Sequence, residues 1–324
     1  MADSPAFLTG GGEMGALMRA KDWSQTPFGP VETWSQALRS AVGICLGSRF
    51  PMVLYWGPTR ALLYNDAWSP VPGQKHPWAL GRPGAEVWSE IWDIIGPMFD
   101  QVVNTGEATW SDDQLLPLNR FGYTEECYFY YSYSPVRGED GQVEGIFTAV
   151  TETTFRVLAE RRERLLREVS ERTAGARTAE AACEDAVRTL AASPAEAPFC
   201  GAWLYDESTR VARRVAQAGL DAHPELAPER LDLGADAPAP WPFTEVLASG
   251  QAVSVSGLAS RLAPPIPGTP WPEPIEEALV TPIPGARAGV PHGFLVTGIS
   301  PRRRLDAAYR SLFERAAGHL STAI

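Results

Sequence analysis

Between residues 15 and 46, apolar side chains recur at helical spacing, at Leu17, Trp23, Trp34, Leu38, Val42 and Cys45. The segment Thr26-Pro27-Phe28-Gly29-Pro30 interrupts that period, which predicts two short helices around a turn. Residues 1–13 are small and Gly-rich and predict a disordered start. From residue 50 the texture becomes that of strands: 50–56 and 60–64 are apolar runs parted by Gly57-Pro58, a hairpin pattern. Short helical pieces across 66–92 lead to a longer helix over 92–105, where Ile95, Phe99, Val102 and Val103 share a face and Gly106 ends it. Three strands follow, 108–118, 126–137 and 143–150, the last two joined by the turn Gly138-Glu139-Asp140-Gly141.

Residues 155–190 hold no proline and are dense in Arg and Glu, which predicts one helical stretch. A heptad register puts Leu158, Leu165 and Arg172 at one seam position and Phe155, Arg162 and Val169 at the other. Glu160/Arg164, Glu163/Arg167 and Glu168/Arg172 add i,i+4 pairs in the favoured order. The two arginines interrupt the seam, so a dimeric coiled coil and a solvated linker helix both stay open. Beyond Pro194 and Pro198, strands are expected at 199–206, 211–218, 252–255, 279–283 and 292–298. A short helix is expected at 243–248. The six prolines of 264–274 require a loop, and 305–324 closes the chain as an amphipathic helix. That helix has no stop signal, so the chain is expected to be a piece of a longer protein.

Composition narrows the partners. The 324 residues exceed the ~150-residue domain prior about twofold, so two domains are expected. The net charge of −11 opposes a phosphate backbone, and Arg302-Arg303-Arg304 reads as a solvated helix start, so nucleic acid is not expected. Apolar runs are too short to span a bilayer and no signal peptide opens the chain; the expected location is the cytoplasm. Four cysteines (Cys45, Cys127, Cys183, Cys200) and four histidines are scattered without metal-site spacing. P-loop, nucleophile-elbow and zincin motifs are missing. The neighbours Asp112-Asp113 and Glu125-Glu126 would point to opposite strand faces and read as solvated.

Several motifs carry a family resemblance. Leu63-Tyr64-Asn65-Asp66-Ala67, Ser132-Tyr133-Ser134-Pro135-Val136-Arg137 with Glu139-Asp140-Gly141, and Thr151-Glu152-Thr153-Thr154 follow one another in an order that resembles a PAS domain. The last resembles the Asp-x-Thr that leads into a PAS output helix, with Glu152 in place of the Asp. The opening 12–18, Asp22-Trp23-Ser24, Pro27-Phe28-Gly29-Pro30, Trp34 and Ser48-Arg49-Phe50-Pro51-Met52 is similar to PAS–GAF input regions of bacterial hybrid sensor histidine kinases. Residues 173–324 resemble a GAF domain by the order of their elements. The phosphoacceptor helix and ATP-binding boxes of such kinases are missing from this sequence.

The resemblance implies an α+β chain of two domains, PAS-like then GAF-like. Each is an antiparallel sheet with flanking helices, and a long helix joins them. The expected divisions are a start at 1–13, a PAS-like domain with helical extension at 14–154, a linker helix at 155–176 and a GAF-like domain at 177–324. It implies a sensory input module without catalytic residues of its own. A homodimer through the linker and terminal helices, a downstream kinase domain and a small-molecule ligand are the expected partners. Glu152, Thr154, Leu158, Leu165 and Val169 are expected to carry the signal.

A PAS-like pocket would draw on Trp56, Tyr64, Trp68, Trp88 and Trp92, with Phe129, Tyr131 and Tyr133 from the inward face of a strand. Tyr128 and Tyr130 replace their neighbours if the strand parity is reversed, and a ligand-free aromatic core is the competing reading. No cofactor is expected, though haem through His76 stays open. Two rival functions remain: a chromophore-binding (bilin, flavin or haem) photo- or redox sensor, and a thiol-based methionine sulfoxide reductase using Cys183 and Cys200.

Overall fold

The computed structural model describes residues 5–234, 239–287 and 289–324. The chain forms two compact units, Met1–Val157 and Leu158–Ile324. Each is α+β, an antiparallel sheet flanked by helices.

The first unit opens with α1 (Gly12–Ala20) and α2 (Gln36–Gly47), with single 3-10 turns at Ala6–Leu8, Trp23–Gln25 and Val31–Thr33 around them. The disordered start expected for 1–13 is thus corrected from residue 5 onward. Leu8 is buried, and α1 begins at Gly12 because the Asp66 carboxylate accepts the Met14 N–H at 2.6 Å. Residues 1–4 lie outside the described residues. Between the helices Trp23, Phe28 and Trp34 pack at centroid distances of 5.1–5.7 Å and join the one core of this unit. Ser35 caps α2 by accepting from Leu38 N–H, and α2 buries Leu38, Val42 and Cys45.

Next come β1 (Met52–Trp56) and β2 (Ala61–Tyr64), then α3 (Gly84–Val87) and α4 (Trp92–Thr105). Gly106 ends α4 in the left-handed region (φ +67°), a conformation that suits glycine. The remaining strands are β3 (Thr109–Leu115), β4 (Leu118–Asn119), β5 (Thr124–Glu125), β6 (Tyr128–Arg137) and β7 (Val143–Glu152). The main sheet runs β2-β1-β7-β6-β3, which places the last strand in its centre. Asn65 locks the hairpin to α2. Its amide donates to the carbonyls of Cys45, Ser48 and Phe50, while its oxygen accepts from Met52 and Trp68 N–H.

Three expectations here are corrected. The strand expected over 108–118 stops at Leu115, two residues before Pro117, which has no N–H to give to a ladder, and inside it a bulge between Ser111 and Gln114 puts Asp113 at φ +48°. Asp113 is not merely solvated: both its oxygens accept from the Arg156 guanidinium, at 2.6 and 2.8 Å. Glu126 is fully buried and accepts from the Tyr128 hydroxyl.

The second half is built from α5 (Thr154–Thr173), α6 (Ala179–Ala191), β8 (Cys200–Asp206), β9 (Val211–Ala218), β10 (Arg230–Asp232), α7 (Phe243–Ser249), β11 (Val253–Ser256), α8 (Leu258–Arg261), β12 (Glu277–Ile283), β13 (Gly293–Gly298) and α9 (Ala307–Ala323). The helix expected over 155–190 is broken at residues 174–178. Gly175 lies in the break, and Thr178 caps α6 through the Ala181 N–H. The six-stranded sheet runs β10-β9-β8-β13-β12-β11, and its side chains alternate between two cores. Ala202, Leu279 and Leu295 meet the helices, where Ala182, Ala186, Ala316 and Ala317 keep α6 and α9 close to the sheet. Trp203, Val280 and Phe294 face the other way, onto Trp241, Phe243 and Val246.

Leu165, Leu166 and Val169 of α5 belong to the helix-side core. One ion cluster ties that helix down. The fully buried carboxylate of Glu196 accepts from Arg161 and from Arg162 Nε (2.8 Å), and its backbone carbonyl accepts from the Tyr309 hydroxyl. The Arg162 guanidinium lies 4.3 Å above the Tyr309 ring. Nor is Arg302 a free surface charge: it grips Glu273 with two 3.0 Å bonds and covers Trp271. Glu196→Ala takes the carboxylate from the buried Arg162 guanidinium and is expected to cost about 3–5 kcal/mol, read as a lower urea midpoint for the full chain.

Candidate functional site

The inner face of the first sheet lies against Trp68, Trp88, Ile91 and Ile95, and a small cavity remains there. Strand parity places Phe129, Tyr131 and Tyr133 inward and buried, while Tyr130 is half exposed on the outer face. From β7, Thr148 and Val150 point the same way. From β1 come Val53 and Tyr55, and Val71, Leu116 and Leu118 complete the wall. The space is about 40 Å³, an order of magnitude below the ~300–1,000 Å³ of pockets for drug-sized ligands.

Five of the eight expected aromatics therefore meet at the cavity: Trp68, Trp88, Phe129, Tyr131 and Tyr133. The other three do not line it. Tyr64 is buried against Trp68 and its hydroxyl meets His76 Nδ1 at 3.0 Å. Trp92 packs on Phe99, and Trp56 lies over Gly145, where a side chain would collide with its ring. Sequence reasoning missed Tyr55 and Thr148. The Tyr55 hydroxyl accepts from Trp88 Nε1 at 3.0 Å, and burial pushes its pKa above the usual phenol range. The Thr148 hydroxyl is buried without a hydrogen-bond partner among the described residues. Such an orphan costs about 1–3 kcal/mol.

Two residues beyond Val150, the strand enters a second cluster. Arg120, from the turn between β4 and β5, donates to both oxygens of Glu152 at 2.8 Å and to Glu125 at 2.8 Å. Burial alone would lower the Arg120 pKa; its bonds to Glu152 and Glu125 outweigh that and raise it. Thr154, the first residue of α5, donates its hydroxyl proton to Glu152 (2.8 Å) and accepts from Tyr128 N–H (2.9 Å). Of the expected relay residues, Glu152 and Thr154 thus meet directly. Leu158 is buried, and Leu165 and Val169 lie in the core of the second unit. Leu158, Leu165 and Val169 of the heptad seam are covered within the chain, whereas Phe155 at its start is 82% exposed; from Glu160 to Arg172 the exposed positions of α5 are all Glu or Arg.

No protein-family model matches the chain, and no curated protein matches it. Its structural neighbours include GAF domains. One is the GAF domain of a phosphoenolpyruvate-protein phosphotransferase from Coxiella burnetii, at 18% identity, TM-score 0.39, covering 51% of this chain and 93% of that one. A sensory box sensor histidine kinase from Vibrio cholerae matches at 16% identity and TM-score 0.25, covering 32% and 77%. The free methionine-R-sulfoxide reductase of Neisseria meningitidis, solved with its substrate, matches at 15% and 0.37, covering 51% and 89%. At those scores the likenesses assign no function.

The rival chemistries can be tested on the residues present. A haem ligated by His76 does not fit: that residue lies outside the cavity wall, its Nδ1 is engaged by Tyr64, and the space is far too small. All four cysteines are free and buried. Burial pushes the Cys45 and Cys183 thiols up to about 12 and Cys200 higher still, so none of these three offers a thiolate near neutral pH. Among the described residues no group of three or more His, Cys, Asp or Glu is arranged for a metal ion. None of their helices is long and apolar enough to cross a membrane. Native protein at pH 8 is expected to react with a colorimetric disulfide reagent at fewer than one thiol per chain within minutes. All four should react once it is unfolded in guanidinium.

Proposed function

We propose that this chain is a sensory input module of the kind that feeds a two-component histidine kinase, PAS-like in its first unit and GAF-like in its second. In this reading it works in the cytoplasm, catalyses nothing itself and passes its signal to a kinase partner. The observation that carries the proposal is the path along β7. Thr148 and Val150 form part of the cavity wall, Glu152 grips Arg120, and Thr154 starts α5.

A strand advances ~3.3 Å per residue, so wall and helix start are about 20 Å apart on one central strand, bonded on both sides to β1 and β6. An occupant or a partner that favours one pose of this strand shifts the population of helix poses by as much as it discriminates between them. Homodimer formation remains part of the proposal, but by surfaces other than the Leu165/Val169 seam, which the second unit's own core already occupies.

Two measurements test the reading. Arg120→Gln removes the charge that holds Glu152 and is expected to speed amide exchange in the first turns of α5 at least tenfold, with the protection of β6 and β1 retained. Unchanged exchange there would mean the cluster does not govern the helix. When the full chain is joined to a histidine-kinase transmitter, overpacking the wall with Val150→Phe is expected to change autophosphorylation at least threefold. Equal rates in both fusions would remove the sensory role.

A further inference from the structure

We propose that the outer face of the first sheet is an interface between two copies of this chain, packed on each other about a two-fold axis parallel to the strands. The inference rests on the homodimer of the sensory reading and names the surface that forms it.

The exposed apolar side chains point to the first unit. Among the described residues, large hydrophobic side chains are exposed at seven positions of that unit, and in the second only at Ile324. Strand register gathers three of the seven at one end of the sheet. Residues paired across an antiparallel ladder share a face. Trp110 of β3 pairs with Ser132 of β6, Ser132 with Ala149 of β7, and Ala149 with Met52 of β1. One row further along, Tyr130 pairs with Thr151, and Phe50 stands just ahead of β1 at the same end. This face is opposite to the one that carries Tyr131 and the cavity. Trp110 is 67% exposed, Tyr130 50% and Phe50 72%, with Ala149 and Thr151 also open to solvent.

Area and charge then select the occupant. An aromatic side chain brings ~150–250 Å², so at these exposures the three leave on the order of 400 Å² of apolar surface. A standard interface takes ~800 Å² from each partner, somewhat more than half of it apolar. The strip therefore has the size that a stable dimer needs. Its two sides carry opposite charges. Arg49 is exposed beside Phe50 on the β1 side. On the β3 side, the bulge facing Tyr130 turns Asp113 to Arg156 and leaves Asp112 exposed. A two-fold axis along the strands, midway between β7 and β6, lays the β1 side of one copy over the β3 side of the other. Arg49 of each copy then meets the opposing Asp112, and the two Tyr130 rings come together near the axis. An axis across the strands would set Arg49 against Arg49, so the charges also fix the orientation.

The test is sedimentation equilibrium of the full chain from micromolar to sub-millimolar concentration, with circular dichroism and the urea midpoint as controls for folding. A dimer is expected. Trp110→Ser should weaken it at least tenfold. Arg49→Asp and Asp112→Arg should each weaken it at least fivefold, and the two together should restore it. A monomer at every concentration, or a dimer indifferent to Trp110→Ser and to the single charge reversals, would overturn the interface. A double variant no tighter than the single ones would overturn the two-fold arrangement. The sensory reading fails separately. Dimerisation through this face, with a transmitter fusion indifferent to Val150→Phe, keeps the interface and removes the sensor. A monomeric chain whose fusion still responds to Val150→Phe removes the interface alone.

Discussion

The guanidinium of Arg120 is almost wholly out of water, and a buried cation is tolerable only when carboxylates surround it. Glu125 comes from the adjacent short hairpin and Glu152 from the end of the central strand, so one charge fixes two distant points of the chain. Thr154 then ties the same carboxylate to the backbone of Tyr128 on the neighbouring strand. Those bonds hold the end of the central strand and the first residue of α5 against the neighbouring strand.

The two sheets treat their concave faces differently. In the second unit the face away from the helices is filled: Phe243 and Phe294 stack at 4.2 Å and 6°, and Trp203 packs against Phe243 at 5.5 Å. The first sheet also faces aromatics, but Tyr55 and Tyr131 keep their hydroxyls paired at the rim of a small space instead of closing it.

Much of this was legible in the sequence, and the exceptions have physical causes. The α4 helix and its glycine stop, the hairpins and the closing helix were carried by strong periodicity and unambiguous turn residues. The break between α5 and α6 was hidden because Gly175 stands alone among good helix formers, and a single glycine is a weak signal. Phe129, Tyr131 and Tyr133 face inward and are buried, while Tyr64 packs on Trp68 and Trp56 lies over Gly145 instead of lining the cavity. Arg120 was invisible: its partners lie five and 32 residues away, and no local pattern announces such a meeting. The heptad spacing put Leu158, Leu165 and Val169 on a seam interrupted by Arg162 and Arg172, and spacing alone does not say which chain will cover it.

Asn65 brings a different lesson. Its amide nitrogen reaches three carbonyl oxygens at once, two of them in the short connection between α2 and β1. Aspartate has almost the same outline but would set a negative oxygen against those three acceptors, with no proton to share. Leucine would keep the bulk and abandon all five bonds. A single letter of the alphabet therefore satisfies this spot, and homologues that vary freely elsewhere should be read at this column first.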